Sequence, residues 1–298
     1  MITSTVILQA VGFGLVTAAT IAIGAIGFTL QFAVTNILNI AYGTMLTVGA
    51  FAALLVQRAH LGLVATIVVA PVAGAVVTWL LARTIFAAFA RRRRGAFDLI
   101  MVSLAASLII QYAIDAAAQG QAFAFTFPVG TTVHAGPFVF TTLSLALIAT
   151  AIVVLILVVA ALRLTRMGKA LRALSTDPKL ARACGVPTRR ILDLTWLVSG
   201  ALAGLAGLVF VSNSLTVQSS SGLDFLVLVI AAALLGGAGS PIGAVVAALV
   251  VGIATEVVAA IGGQYYSEAV GLGILALVLI VRPSARTWGG AIRDEVTV

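Results

Sequence analysis

Glu256 lies in an otherwise apolar stretch running from Pro241 to Gly262. An acid in such surroundings needs a hydrogen-bonding partner or a wet cavity. It reads either as a gate or pathway group or as an anchor between helices. Asn36, Asn39 and Tyr42 recur at three-residue spacing, with Gly43 beside them and Thr35 and Thr47 near the same line. On a helix this is one polar side, suited to lining a passage or to hydrogen-bonded packing. Gln111 adds an amide in another apolar stretch, and Gln31, Thr44, Ser103, Ser107, Asp115 and Asp193 are further polar groups of this kind. The residue types that do covalent or metal chemistry do not converge. There is no Ser-His-Asp set, no zinc-ligand spacing and no G-x-x-x-x-G-K-[ST] nucleotide loop. His60 and His134 read as loop residues. Cys184 is the lone cysteine, which excludes an intrachain disulfide, and it reads as an inert thiol. No catalytic residue, metal ligand or cofactor is assigned, and the chain is not expected to be an enzyme.

The elements that position these groups follow from composition. Of the 298 residues, 62% are hydrophobic and 9% charged, and mean hydropathy is +1.21. A soluble domain carries about a quarter charged residues, so this surface suits a bilayer. The expected fold is all-α: a polytopic membrane protein, one transmembrane unit over 1–298. Apolar runs near 6–30, 36–57, 62–86, 97–118, 139–162, 191–212, 223–236 with 241–262, and 268–282 give about eight transmembrane helices. The N-terminus lacks a charged n-region and a small-residue cleavage site, so the first run reads as a retained helix.

The net charge of +8 would suggest nucleic acid in a soluble protein. Here the basic residues fall in short loops, so no nucleic-acid partner is expected and the positive-inside rule applies. Arg91 to Arg94, the stretch Arg163–Arg190 and the tail arginines Arg282, Arg286 and Arg293 then share the cytoplasmic side. That leaves Arg58, the N-terminus and segments 119–138 and 213–222 outside, in a multi-pass inner or plasma membrane protein.

The segment 163–190 is the densest in local signals. A helix is expected to continue from the membrane to about Leu174, broken by Ser175-Thr176-Asp177-Pro178. Asp177 can cap a short helix over about 178–184, with Pro178 at its first position. Gly185 suits a left-handed stop, Pro187 prevents continuation, and Thr188 can cap the next span. Leu180, Ala181 and Cys184 can share one face of the short helix. That face suits a partner's groove or, as the plainer alternative, the lipid headgroups.

Glycine is frequent, and Gly200, Gly204 and Gly207 line one face of a span, where helices can approach closely. At Gly236-Gly237-Ala238-Gly239-Ser240-Pro241 an apolar stretch is interrupted. The interruption reads as a broken helix with exposed carbonyls or as a tight turn.

The 163–190 segment resembles the cytoplasmic coupling loop of the branched-chain amino acid ABC transporter permease family. The pattern R-x-x-R-M-G-x-A-x-R-A-x-x-x-D-x-x-x-A-x-x-x-G-I-x-x-x-R is met by Arg163, Arg166, Met167, Gly168, Ala170, Arg172, Ala173, Asp177, Ala181, Gly185 and Arg190, with Val186 in place of Ile. Asn39 to Gly43 resembles the family's N-x-A-H-G stretch, with Tyr42 where His is usual and Thr44 where an acid is common. Leu235 to Ala244 resembles its L-G-G-x-G-S-x-x-G-A signature. The three matches fall in order over nearly the whole chain. The resemblance implies a permease subunit of an ATP-driven importer for small polar solutes, with branched-chain amino acids as the family default. It implies a second permease subunit, homologous or a copy of this chain, two ATP-binding subunits that hold the ATP and dock on the coupling helix, and an extracytoplasmic substrate-binding protein. The competing class is an ion-coupled secondary transporter or channel, with Glu256 or Asp115 carrying the coupling.

Overall fold

The computed structural model describes residues 4–91, 95–125, 131–135, 138–237, 239–263 and 266–281. Arg92, Arg93 and Arg94, the tail arginines Arg282, Arg286 and Arg293, and Ala238 lie outside the described residues. The chain is built on helices, as an apolar sequence in a bilayer requires, because each helix satisfies its own backbone hydrogen bonds. In order they are α1 (Ser4–Thr35), α2 (Ala41–Arg58), α3 (Gly62–Leu81), a π-helical turn (Ala82–Phe86), α4 (Ala87–Arg91), α5 (Ala96–Ala118), α6 (Thr142–Leu164), α7 (Arg166–Thr176), α8 (Pro178–Ala183), α9 (Thr188–Ser214), α10 (Ser221–Gly236), α11 (Pro241–Gly262) and α12 (Tyr266–Val281). Six described stretches are long and apolar enough to cross a membrane: Ile7–Thr35, Val64–Phe89, Phe97–Ala118, Thr142–Leu164, Thr188–Ser214 and Pro241–Gly262. The further crossings expected from the sequence correspond to α2 and to the shorter apolar helices α10 and α12.

The core is wrapped around α1. Val16, Ile21, Ile23, Ile26 and Phe28 of α1 pack with Tyr42, Met45 and Leu46 of α2, Ala203 and Ala206 of α9, Val229 of α10 and Val251 of α11. α1 lies against α11 and α9, α3 lies against α9, and α2 is wedged between α3 and α9. Val34 at the end of α1 joins Leu174 of α7, Ala181 of α8 and Ile191 of α9, which fixes one end of the bundle as the basic end. At the opposite end the Arg58 guanidinium lies 4.4 Å from the centre of the Phe123 ring. Among the described residues four short strands fall in or beside the segments expected outside, with β3 taking the start of the span expected over 139–162. β1 (Phe123–Ala124) pairs antiparallel with β4 (Thr216–Val217), and β2 (Thr132–Ala135) with β3 (Phe138–Thr141).

Three local expectations are corrected. The span expected over 36–57 begins only at Ala41: Asn36 takes a left-handed conformation (φ 54°) and residues 36–40 are non-helical. Asn36, Asn39 and Tyr42 therefore do not form one helical stripe. The helix entering from the membrane stops at Leu164, not near Leu174. Thr165 is extended, and its hydroxyl oxygen accepts from the Gly168 N–H at 3.0 Å, starting a separate helix, α7. Thr188 does not cap α9. Pro187 precedes the helix, and the Thr188 hydroxyl donates to the Val186 carbonyl at 3.3 Å.

The interruption at Gly236, Gly237, Gly239, Ser240 and Pro241 is a tight turn between two packed helices. Gly237 and Gly239 have φ of 96° and 90°. Ser240 caps α11 by accepting from the Gly243 N–H at 3.1 Å, and Pro241 takes the first position, where its missing N–H costs nothing. Gly236 and Gly243 meet backbone to backbone across the turn.

Candidate functional site

The short helix α8 is closed at both ends by its own chemistry. The Asp177 carboxylate accepts from the N–H groups of Lys179 (2.9 Å) and Leu180 (3.0 Å), taking up two of the donors a helix start leaves open. At the far end Gly185 adopts φ 80°, a conformation glycine takes without Cβ strain. Its N–H donates to the Arg182 carbonyl, and the Val186 N–H donates to the Ala181 carbonyl, both at 3.0 Å. That pair of bonds is a Schellman stop, with the Val186 side chain set beside Ala181, Leu174 and Ile191. Gly168 lets the start of α7 press on the backbone of Ala161 and Leu162 at the end of α6.

This construction divides the segment into two sides. Ala181 is buried (4% exposed) against Leu174 and Ile191, whereas Leu180 is 60% exposed and Cys184 is exposed. Leu180, Ala181 and Cys184 therefore do not share one outward face. With fewer than two turns in α8, the inward contact of Ala181 sets the orientation and leaves Leu180 and Cys184 pointing away. Arg166, Met167 and Arg172 on α7 are exposed as well. The buried side touches Val34 and Ile191, so the segment is packed directly onto the ends of α1 and α9.

The remaining candidates fall at separate places. Asn36 is exposed and ends α1. Asn39 is buried, and its side-chain oxygen accepts from the Ala41 N–H at 3.1 Å, holding the start of α2. Tyr42 is fully buried; its hydroxyl donates to the Gly24 carbonyl at 2.8 Å and its ring meets Phe28 edge-on at 5.5 Å. Gly43 meets Gly222, and a methyl group at either position would run into the other's carbonyl. Glu256 accepts from the Thr17 hydroxyl at 2.7 Å, tying α11 to α1. Asp193 pairs with Arg83 at 2.8 Å. The amide oxygen of Gln111 is buried without a hydrogen-bond partner. Among the described residues, no group of three or more His, Cys, Asp or Glu side chains could hold a metal ion.

The motifs thus occupy two places in one bundle: a capped double helix at its basic end, and the seams where short helices begin. A model of the family described as the permease component of the branched-chain amino acid transport system matches residues 10–281. The chain belongs to this family. It is 26% identical to the high-affinity branched-chain amino acid transport system permease protein LivH of Escherichia coli K12, over 93% of this chain and 94% of that one. It is 28% identical to the corresponding protein BraD of Pseudomonas aeruginosa, over the same shares. A probable LivH of Methanocaldococcus jannaschii is 29% identical over 84% of this chain and 79% of its own. As a member of this permease family with six helices able to span, the chain is a multi-pass inner-membrane protein.

Within this permease, the family-like stretch Asn39–Gly43 is the start of α2, and Leu235–Ala244 is the turn from α10 to α11. Sequence reasoning missed Thr165 and Ser219. Thr165 is a helix-capping residue type just before a basic run, and that signal was available. Ser219 donates to Asp115 at 2.7 Å from a distance of about a hundred positions, and nothing local marks it.

Proposed function

We propose that this chain is the membrane subunit of an ATP-driven importer and that α8 is the element through which ATP-binding subunits move it. The observation that carries this reading is the two-sided coupling segment. Leu180 and Cys184 stand exposed on a helix capped at both ends, while Ala181 beneath them is packed onto α1 and α9. A push on the exposed side is delivered to the most enclosed helices of the bundle, whose positions decide which end of a passage is open.

In this reading the chain pairs with a second permease subunit, homologous or identical. Two ATP-binding subunits dock on the cytoplasmic side, and an extracytoplasmic binding protein delivers the solute. ATP is held by the partners; this chain does no covalent chemistry. The names of the relatives support branched-chain or other amino acids, within the wider class of small polar solutes, as the cargo. Leu180→Glu is expected to abolish co-purification with the ATP-binding subunits while the permease still inserts and purifies. Undiminished co-purification of both Leu180→Glu and Cys184→Arg would sink the docking assignment.

An ion-coupled carrier is the second reading, favoured by the carboxylate of Glu256 within the bundle. Its bond to Thr17 gives it an anchoring task. Uptake by vesicles that contain this chain alone, driven by an ion gradient without ATP, would establish the carrier.

A further inference from the structure

α5 is held unlike the helices around it. It contains no glycine, and its principal neighbour is α2. Ser103, Ser107, Gln111 and Asp115 follow one another at four-residue spacing, so they form a single line along α5. Three of these rungs are filled. Ser103 accepts from the Ile40 N–H at 3.1 Å, Ser107 shares a hydrogen bond with the Thr44 hydroxyl, and Asp115 accepts from Ser219 at 2.7 Å. The rung between the last two is vacant. The same step along α2 from Thr44 leads to Val48, which has no polar side chain, and the buried amide oxygen of Gln111 has no partner.

The two ends of α5 are fixed differently from its middle. At the basic end Leu99 packs with Ala82, Phe86 and Trp196. At the other end the left-handed pair Gln119 and Gly120 turns the chain into β1, which is paired with β4. Between these anchors Ile110 packs against the core, and the rest of the seam is held by these hydrogen bonds. Interhelical side-chain hydrogen bonds contribute little in a membrane, and apolar contact gains little over lipid. The seam is therefore cheap to part. Once parted, its hydroxyls, amide and carboxylate need water or a polar ligand.

We propose that the α2–α5 seam is a moving joint of the translocation path, opening between the two fixed ends of α5, and that the amide oxygen of Gln111 accepts a hydrogen bond from the N–H of an amine-bearing solute as it passes. The proposal rests on the permease reading and adds to it the joint and the contact. The test uses the complete transporter in proteoliposomes, with its ATP-binding and substrate-binding partners. The probe is the amino acid that the unmodified complex accumulates best, leucine being tried first. Thr44→Cys with Ser107→Cys bridges the seam on oxidation. The oxidised double variant is expected to keep its ATP-binding subunits and lose uptake, and reductant is expected to restore it, while uptake by each single variant does not change between oxidant and reductant. Gln111→Leu is expected to raise the KM for the amino acid more than it lowers the maximal rate. Equal uptake by the bridged and reduced double variant would overturn the moving joint. An unchanged KM in Gln111→Leu would overturn the solute contact. Absence of ATP-driven uptake by the unmodified complex would instead sink the permease reading, and this proposal with it.

Discussion

Two joints in the bundle are assembled from the same parts in the same order. α1 ends at Asn36 with φ 54°, residues 36–40 are non-helical, and the shorter α2 follows. α9 ends at Leu215 with φ 57°, residues 215–220 are non-helical, and the shorter α10 follows. Each short helix then packs on the next long one, α2 on α3 and α10 on α11, while α3 lies on α9 and α11 lies on α1. α1 and α9 run in opposite directions, Gly24 lying beside Ala206 and Gln31 bonding Ser199. The arrangement is an inverted repeat, a plan that many membrane transporters use to place short helix starts inside the bilayer. The starts meet at Gly43 and Gly222.

The joints differ in how the first N–H groups are satisfied. At α2 the Ile40 N–H goes to Ser103 of α5 and the Ala41 N–H to the Asn39 side chain, while Tyr42 and Gly43 donate to the carbonyls of Asn39 and Ile40. At α10 Ser220 supplies no side-chain cap. There the donors go to the carbonyls of Gln218 and Ser220 and to the Thr47 hydroxyl. Each joint thus takes one acceptor from another helix, Ser103 of α5 for the first and Thr47 of α2 for the second, and the first adds the local Asn39 side chain. A joint whose caps come from another helix changes when that helix moves.

The two joints are most sensitive where they touch. Gly222→Leu forces a side chain into the Gly43 backbone, with an expected destabilisation at or beyond the top of the ~1–3 kcal/mol range for overpacking. Loss of monodisperse protein in detergent would register it, and a normal yield and melting temperature would contradict the close approach. Next, Thr47→Val leaves the buried Gly222 N–H without its acceptor, an expected cost of about 1–3 kcal/mol read as a lower melting temperature. The smallest effect sharpens the asymmetry itself. Asn39→Ala should cost about 1 kcal/mol, as for loss of a helix cap, and Ser220→Ala should stay within about 0.5 kcal/mol. Equal shifts in the two variants would mean that the joints are not capped differently.

The sequence made the segment 163–190 legible because its signals are local. Asp177, Pro178, Gly185 and Val186 each act on backbone groups within five positions. The same locality failed at Thr165, where a capping threonine between an apolar and a basic run was passed over as continuing helix. It failed more fully at Asn36, Asn39 and Tyr42. Their spacing suits one side of a helix, yet Asn36 ends α1, Asn39 holds the start of α2, and Tyr42 reaches back to Gly24. Asparagine tolerates left-handed backbone and bonds its neighbours' N–H groups, and that chemistry outweighed periodicity. The line of polar groups on α5 was readable as spacing. Its partners Ile40, Thr44 and Ser219 lie 63 to 104 positions away, and only tertiary packing could name them. Ala181 was assigned outward because a six-residue helix has no periodicity long enough to say which side is buried.

The central claim is that this bundle is moved from its basic end by ATP-binding partners gripping α8. Its most direct test is amino acid uptake by proteoliposomes containing the full complex with ATP, compared with Leu180→Glu in the same complex. The account predicts ATP-dependent accumulation by the unmodified protein and none above background for the variant, with the permease present in equal amount. Accumulation by Leu180→Glu equal to that of the unmodified complex would contradict it.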